Sequence, residues 1–147
     1  MGEPELWVWG VGNALRGDDA VGCRVAGLLM ERGMPGVTDC GAMPENHAAA
    51  LRKGKPRVLL IADAADMGLP PGECRRLSLG GLNNVLESTH GIPLPLLLAP
   101  FDVEIEVLGI QPESLKLGAP LTDAVEQAAL RVAELIQRGQ WRSIRKE

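Results

Sequence analysis

The chain has 147 residues, of which 46% are hydrophobic and 23% charged, and its formal net charge is −4. This composition excludes extended disorder, and the negative charge gives no sign of a nucleic-acid partner. The length suits one domain that buries roughly two thirds of the surface its unfolded chain exposes, so residues 1–147 are predicted to form a single domain.

In chain order, apolar runs alternate with amphipathic stretches, which predicts alternating strands and helices. The first strand is expected at 6–9, and a helix follows with Val21, Val25, Leu28 and Leu29 on one face until the glycines at 33 and 36 stop it. Further strands are predicted at 37–40, 57–63, 74–79 and 103–110, and further helices at 44–54 and 122–138. A Gly/Asn-rich stretch follows at 80–84, and the prolines at 93 and 95 can lie only in the first turn of a helix or before it. Thr122 is the expected cap of the last helix, whose predicted buried face holds Val125, Ala129, Val132 and Ile136.

This alternation predicts an α/β sandwich with a largely parallel sheet. The run at 57–63 is almost wholly apolar before its Asp, so it is expected in the middle of the sheet. The run at 74–79 is more polar and is expected nearer an edge.

The cysteines and the termini predict a cytoplasmic protein without a membrane partner. Cys23, Cys40 and Cys74 are odd in number and lack paired metal spacing, which indicates free thiols in a reducing compartment. The N-terminus is acidic where a signal peptide is basic, and no apolar run is long enough to span a bilayer. The basic stretch 141–147 is expected to be a solvated, fraying terminus.

The turn after the first strand resembles a phosphate-binding loop, since Gly10 and Gly12 follow an apolar run. However, Leu15 occupies the place of the third glycine of a dinucleotide fingerprint, and no Gly-Lys-Ser/Thr sequence is present. The adjacent Asp18 and Asp19 would also repel phosphate from a helix N-terminus. A nucleotide-binding domain remains a remote alternative, because an Asp at position 39 stands about where a ribose ligand is expected.

Four carboxylates flank the predicted strand ends. Asp18 and Asp19 can serve as a helix cap and an acidic first-turn residue. Asp63 ends the most hydrophobic strand, where open α/β sheets bind ligands. Asp66 comes directly before Met-Gly and is the better candidate for a turn residue.

One of the two histidines, His90, lies in a loop that the element order brings to the same sheet edge as Asp19 and Asp63. Two carboxylates and an imidazole suit nickel, zinc or manganese and leave coordination positions open for water or substrate. The other, His47, is expected on the surface. The sequence contains neither H-E-x-x-H nor G-x-S-x-G, so these common hydrolase motifs are excluded.

Five segments taken together resemble the NiFe-hydrogenase maturation endopeptidases, closest to the formate-hydrogenlyase (hydrogenase 3) type. They are "GVGNALRGDDAVG", "DCGAMPEN", "IADAADMGLPPGE", "STHGIPLPLLL" and "LGIQPE", and the resemblance extends from residue 8 to about residue 136. It implies a three-layer α/β/α sandwich and an enzyme that removes a C-terminal extension from a hydrogenase large-subunit precursor after nickel insertion. It also implies that Asp19, Asp63 and His90 are the catalytic, metal-binding residues, while Asp18 and Asp66 have structural roles.

The resemblance further implies that nickel arrives with the precursor, that no organic cofactor is needed, and that the enzyme works as a monomer. One loop departs from the pattern, because Cys40 stands where relatives tend to have glycine. Cys40 and Gly41 are therefore candidates for contact with the substrate. An alternative using the same triad is a nickel-dependent checkpoint protein that binds the precursor without cutting it.

Overall fold

The structure, a computed structural model, describes residues 5–79 and 94–147. In this part of the chain five strands form one sheet in the order β2-β1-β3-β5-β4. The strands are β1 (Leu6–Val11), β2 (Val37–Gly41), β3 (Val58–Ala64), β4 (Cys74–Ser78) and β5 (Glu104–Ile110). The helices are α1 (Val21–Glu31), α2 (Ala48–Gly54), α3 (Leu94–Leu98) and α4 (Asp123–Gln137), with 3-10 turns at Gly17–Ala20, Pro44–His47 and Trp141–Ser143.

The sheet has the predicted parallel character. The pairs β1–β2, β1–β3 and β3–β5 are parallel, and only β4 runs antiparallel, against β5 at the edge. The strand β3 is central and buried from Leu59 onward, as its apolar sequence predicts. Because β1, β3 and β5 run in the same direction, their carboxyl ends meet at one edge of the sheet.

Helices cover both faces of the sheet and complete the predicted three-layer sandwich. The alternation of side chains along β1 sends Val8 toward the layer of α1 and α4, and Trp9 toward the layer of α2 and α3. The predicted apolar face of α4 is buried, including Val125 and Ile136. Sequence periodicity was therefore sufficient to identify the buried face of this helix.

Two of the predicted helix details differ in the structure. The expected helix at 44–54 begins as the 3-10 turn Pro44–His47 and becomes α-helical only at Ala48. Thr122 does occupy the position before α4, but its hydroxyl makes no cap hydrogen bond and donates instead to the Asp18 carboxylate, at 2.8 Å. The hydroxyl is therefore oriented by the charged carboxylate of Asp18, and not by the first turn of α4.

The prediction of a fraying C-terminus was wrong. Trp141 and Ile144 are buried, and the guanidinium of Arg142 lies 4.2 Å from the Trp141 ring centroid while pairing with Glu104 at 2.8 Å. The backbone then follows β4, because Arg76 N–H donates to the Arg145 carbonyl and Glu147 N–H donates to the Arg76 carbonyl. The chain's own tail thus covers the outer edge of β4.

Three other predictions concern thiols, membrane spans and the segment before α3. Cys23, Cys40 and Cys74 are free thiols, as expected. Across residues 5–79 and 94–147, none of the helices has the length and apolar character that crossing a membrane requires. Pro95 lies in the first turn of α3, as predicted, whereas the stretch 80–84, His90 and Pro93 fall outside the described residues.

Candidate functional site

The turn after β1 is packed against the backbone of Asp19. A Cβ placed on Gly12 would overlap the Asp19 carbonyl oxygen, so only glycine permits this approach. The Asp19 side chain is 1% exposed, and its Oδ2 accepts the N–H of Asn13 at 2.9 Å. The turn therefore fixes the orientation of a buried carboxylate beyond the carboxyl end of β1.

The helix α1 is seated on the sheet through glycine contacts that leave no room for a side chain. A Cβ on Gly22 would overlap the carbonyl oxygens of Val11 and Ala62, and a Cβ on Gly10 would overlap the Gly22 carbonyl. These contacts hold the start of α1 against the ends of β1 and β3. The 3-10 turn that carries Asp19 consequently packs on β3.

Asp63 is the last residue but one of β3 and is 2% exposed. It follows the paired residues Gly10 and Ala62, so it lies at the end of the strand next to β1. Two nearly buried carboxylates, Asp19 on the 3-10 turn that follows β1 and Asp63 near the end of β3, thus lie at one edge of the sheet.

Cys23 also lies at this edge of the sheet, a location that was not predicted from the sequence. Its Sγ donates to the Gly12 carbonyl at 3.6 Å. Burial, a hydrogen bond to Asp39 and the negative charges of Asp39 and Asp63 all raise the pKa of this thiol. The spacing of four residues from Asp19, about one helical turn, is the sequence signal that could have placed Cys23 here.

The end of β2 closes the site on the side of Cys23. Gly12 N–H donates to the Gly41 carbonyl at 2.9 Å, and Gly41 N–H donates to Asp39 Oδ1 at 3.0 Å. Gly41 has a φ of 56° and open space at its Cβ position, so its backbone is accessible. The Cys40 side chain is only 5% exposed and packs in the core, and burial raises the pKa of its thiol to about 12.

Asp18 anchors a distant loop, which corrects its predicted role as a helix cap. Its carboxylate is fully buried and accepts the N–H groups of Glu113, Ser114 and Thr122 and the Thr122 hydroxyl, at 2.8–3.0 Å. Its own N–H donates to the Ser114 carbonyl. Asp18 therefore ties the Asp19 turn to the segment between β5 and α4.

Gln111 anchors the segment that follows β3, as Asp18 anchors the segment before α4. Its Oε1 accepts the N–H of Met67 at 2.7 Å and that of Leu69 at 3.3 Å, and its Nε2 donates to Asp66 Oδ1 at 3.2 Å. Asp66 Oδ1 also accepts the N–H of Gly68, so the prediction of a turn residue is confirmed. Gln111 is 7% exposed and holds the turn that follows Asp63.

The predicted metal triad stays a prediction. Asp19 and Asp63 lie at adjoining strand ends, but His90 is outside the described residues. Within 5–79 and 94–147, no group of three His, Cys, Asp or Glu side chains is arranged to hold a metal ion. His47 is partly buried instead of lying on the open surface, with its ring 6.1 Å from that of Trp9.

The sequence profile of the family described as hydrogenase maturation protease matches residues 23–138. The chain belongs to the hydrogenase maturation proteases. It is 35% identical over 133 residues to the hydrogenase 3 maturation protease of Escherichia coli strain K12, covering 86% of this chain and 85% of that one. Family membership confirms the resemblance, and the nucleotide-binding alternative is set aside.

Two solved structures of maturation proteases share the fold. The solution structure of endopeptidase HycI from Escherichia coli superposes with a TM-score of 0.83 at 33% identity, covering 94% of this chain and 90% of that one. The [NiFe] hydrogenase maturation protease HycI from Thermococcus kodakarensis KOD1 gives a TM-score of 0.82 at 30% identity, with coverages of 95% and 94%. Coverage this complete on both sides indicates that the same architecture surrounds the site.

Proposed function

We propose that this maturation protease is a cytoplasmic, monomeric endopeptidase that removes the C-terminal extension of a NiFe-hydrogenase large-subunit precursor once nickel has been inserted. The observation that carries the proposal is the pair of nearly buried carboxylates, Asp19 and Asp63, at adjoining strand ends of a hydrogenase maturation protease. His90 is proposed as the third member of the site.

Nickel enters this proposal as part of the substrate. Two carboxylates and one imidazole leave coordination positions open, so they hold an ion weakly until another molecule supplies the remaining ligands. The protease would then bind loaded precursor in preference to empty precursor, because only the former brings the ion. The donor set suits a borderline metal such as nickel.

The chemistry required is hydrolysis of one peptide bond. A metal ion at the scissile bond can polarise the carbonyl or lower the pKa of a water molecule. The contribution of the protein is to orient the carboxylates: the Asn13 N–H fixes Asp19, and Gln111 holds the turn that follows Asp63. Both orienting contacts come from buried or partly buried groups, so they stay in place without substrate.

The decisive experiment compares two substitutions within one motif, Asp63→Asn and Asp66→Asn. Each purified variant is incubated with nickel-loaded precursor, and the precursor mass is followed. Asp63→Asn is expected to abolish cleavage, since an amide is a poor metal ligand, while Asp66→Asn keeps an acceptor for the Gly68 N–H and remains active. Equal activity of the Asp63 variant and the wild type would contradict the proposed site.

The dependence on nickel is tested with the wild-type enzyme after treatment with a chelator. It should cleave nickel-loaded precursor and leave nickel-free precursor intact. Efficient cleavage of the nickel-free form would overturn recognition through the ion. A wild-type protein that binds loaded precursor without changing its mass would favour the checkpoint alternative.

A further inference from the structure

The two edges of the sheet differ. The outer edge of β4 is covered by the C-terminal tail, through the backbone hydrogen bonds between Arg76 and residues 145 and 147. At the opposite edge, β2 pairs with β1 only, as far as the described strands extend. An uncovered edge strand offers its outward N–H and C=O groups to another chain.

The register identifies which groups of β2 face outward. Val8 pairs with Val37, and its N–H donates to the Gly36 carbonyl, so in a parallel ladder its carbonyl faces the N–H of Thr38. Thr38 and Cys40 therefore point their N–H groups toward β1. The N–H and C=O groups of Val37 and Asp39 point away from the sheet.

A cavity of about 200 Å³ lies beside this edge. It is lined by the indole rings of Trp7 and Trp9, by Val37 and Thr38 of β2, and by His47. The Trp7 indole N–H is buried and makes no hydrogen bond within the described part of the chain. An extended peptide that adds to a sheet edge gains affinity from main-chain bonds and specificity from such a pocket.

The edge is continuous with the candidate site. β2 ends at Gly41, whose carbonyl accepts the Gly12 N–H, and Gly12 in turn packs against the backbone of Asp19. A strand paired with β2 would therefore have one end at the proposed scissile position. Five residues of β2 correspond to about 16 Å of extended chain.

We propose that the C-terminal extension of the precursor docks as a sixth strand on the outer edge of β2, antiparallel to it; this rests on the proposed function. The antiparallel direction follows from the position of the scissile bond. In the proposed function the extension is the part of the precursor that follows the scissile bond, so it can continue from the candidate site along this strand edge. The extension begins at the scissile bond, which lies at the carboxyl end of β2, so it runs back toward Val37.

The first test is residue-resolved amide hydrogen exchange of the intact protein with a saturating synthetic peptide that has the sequence of the extension. The Val37 and Asp39 amides should exchange about tenfold more slowly, as expected for one new hydrogen bond each. Thr38 and Cys40 serve as internal controls, because their amides already face β1. Intrinsic tryptophan fluorescence should also change, since two of the three tryptophans line the cavity.

The second test is the pair Val37→Pro and Val37→Ala in the processing assay. Proline removes an outward N–H and is tolerated at sheet edges, so thermal unfolding should resemble that of the alanine variant, which keeps the N–H. We expect kcat/KM to fall about tenfold for Val37→Pro relative to Val37→Ala. Either unchanged exchange at Val37 and Asp39 or equal kcat/KM for the two variants would overturn the docking proposal.

Failure of the docking proposal and failure of the proposed function have different signatures. If wild-type enzyme cuts loaded precursor but Val37 and Asp39 show no protection, the extension binds elsewhere and the protease assignment stands. If the wild type cuts nothing, the proposed function fails whatever the amides show. A concentration-dependent dimer that protects the same amides without peptide would assign the edge to a second copy of the chain and overturn the proposal.

Discussion

At the scale of single residues, two adjacent aspartates of one motif differ in the hydrogen bonds that their carboxylates accept. Asp18 is fully buried and accepts four hydrogen bonds from the segment between β5 and α4. Asp19 accepts a hydrogen bond from the Asn13 N–H in the neighbouring turn and lies at the edge of the sheet where Asp63 stands near the end of β3. The first carboxylate serves the fold, and the second is the one proposed to take part in the reaction.

The anchoring role of Asp18 predicts how strongly its substitution lowers the stability of the fold. Asp18→Asn puts an NH₂ group among donors, so it should lower the free energy of unfolding by about 3 kcal/mol. The matched variant Thr122→Val removes only one of the four bonds and should cost about 1 kcal/mol. Urea denaturation measures both. A loss for Asp18→Asn no larger than that for Thr122→Val would contradict the anchoring role.

The three thiols give a second prediction at this scale. Burial raises the pKa of Cys40 and of Cys74 from 9.0 to about 12, and burial with nearby carboxylates raises that of Cys23 further. Alkylation of the folded protein at pH 8 should therefore be about a thousandfold slower than in urea, where all three react. Mass spectrometry measures the labelling. Rapid alkylation of any one thiol in the folded protein would contradict the prediction.

The raised pKa values of the thiols predict that the protein becomes less stable at alkaline pH. Above pH 9 the unfolded chain loses thiol protons that the folded chain retains, so the free energy of unfolding falls as the pH rises. The stabilisation is complete below pH 9 and declines progressively up to about pH 12. A plateau of stability between these values would show that the thiols ionise in the folded protein.

At the scale of elements, the position of α1 decides whether the site forms. Gly22 touches the carbonyls of β1 and β3 at once, and a salt bridge of 3.0 Å between Arg24 and Glu126 joins α1 to α4. The helix therefore cannot move outward without separating Asp19 from the end of β3. The site is held together by backbone contact as much as by side chains.

Gly22→Ala tests this contact. The added methyl group would overlap two carbonyl oxygens, and overpacking of this kind should cost about 2 kcal/mol or more. The matched control is Gly27→Ala on the same helix, where no atom lies within 4 Å of the new Cβ and helix propensity favours alanine. Thermal unfolding should show a lower midpoint for the first variant and an equal or higher midpoint for the second.

At the scale of the whole molecule, the sequence predicted the architecture well because hydrophobic periodicity reports burial directly. The run before Asp63 has no polar face, and β3 is accordingly central. Hydrogen bonds between residues far apart in the sequence were not predicted. Thr122 donates to Asp18 across 104 positions, and Gln111 holds a turn more than 40 residues away. No local pattern encodes such long-range bonds, whereas the location of Cys23, four residues after Asp19, could have been predicted from its spacing.

The C-terminus shows the same limit and has a consequence for handling the protein. The basic, polar composition of 141–147 suggested a loose end, yet Trp141 is buried and the tail runs parallel to β4. Since β4 is antiparallel to the other strands, the tail travels away from the edge that carries Asp19 and Asp63. If the protein is tethered to a sensor surface through its last residue, the edge that carries Asp19 and Asp63 should therefore face the solution, where a large partner has room to approach.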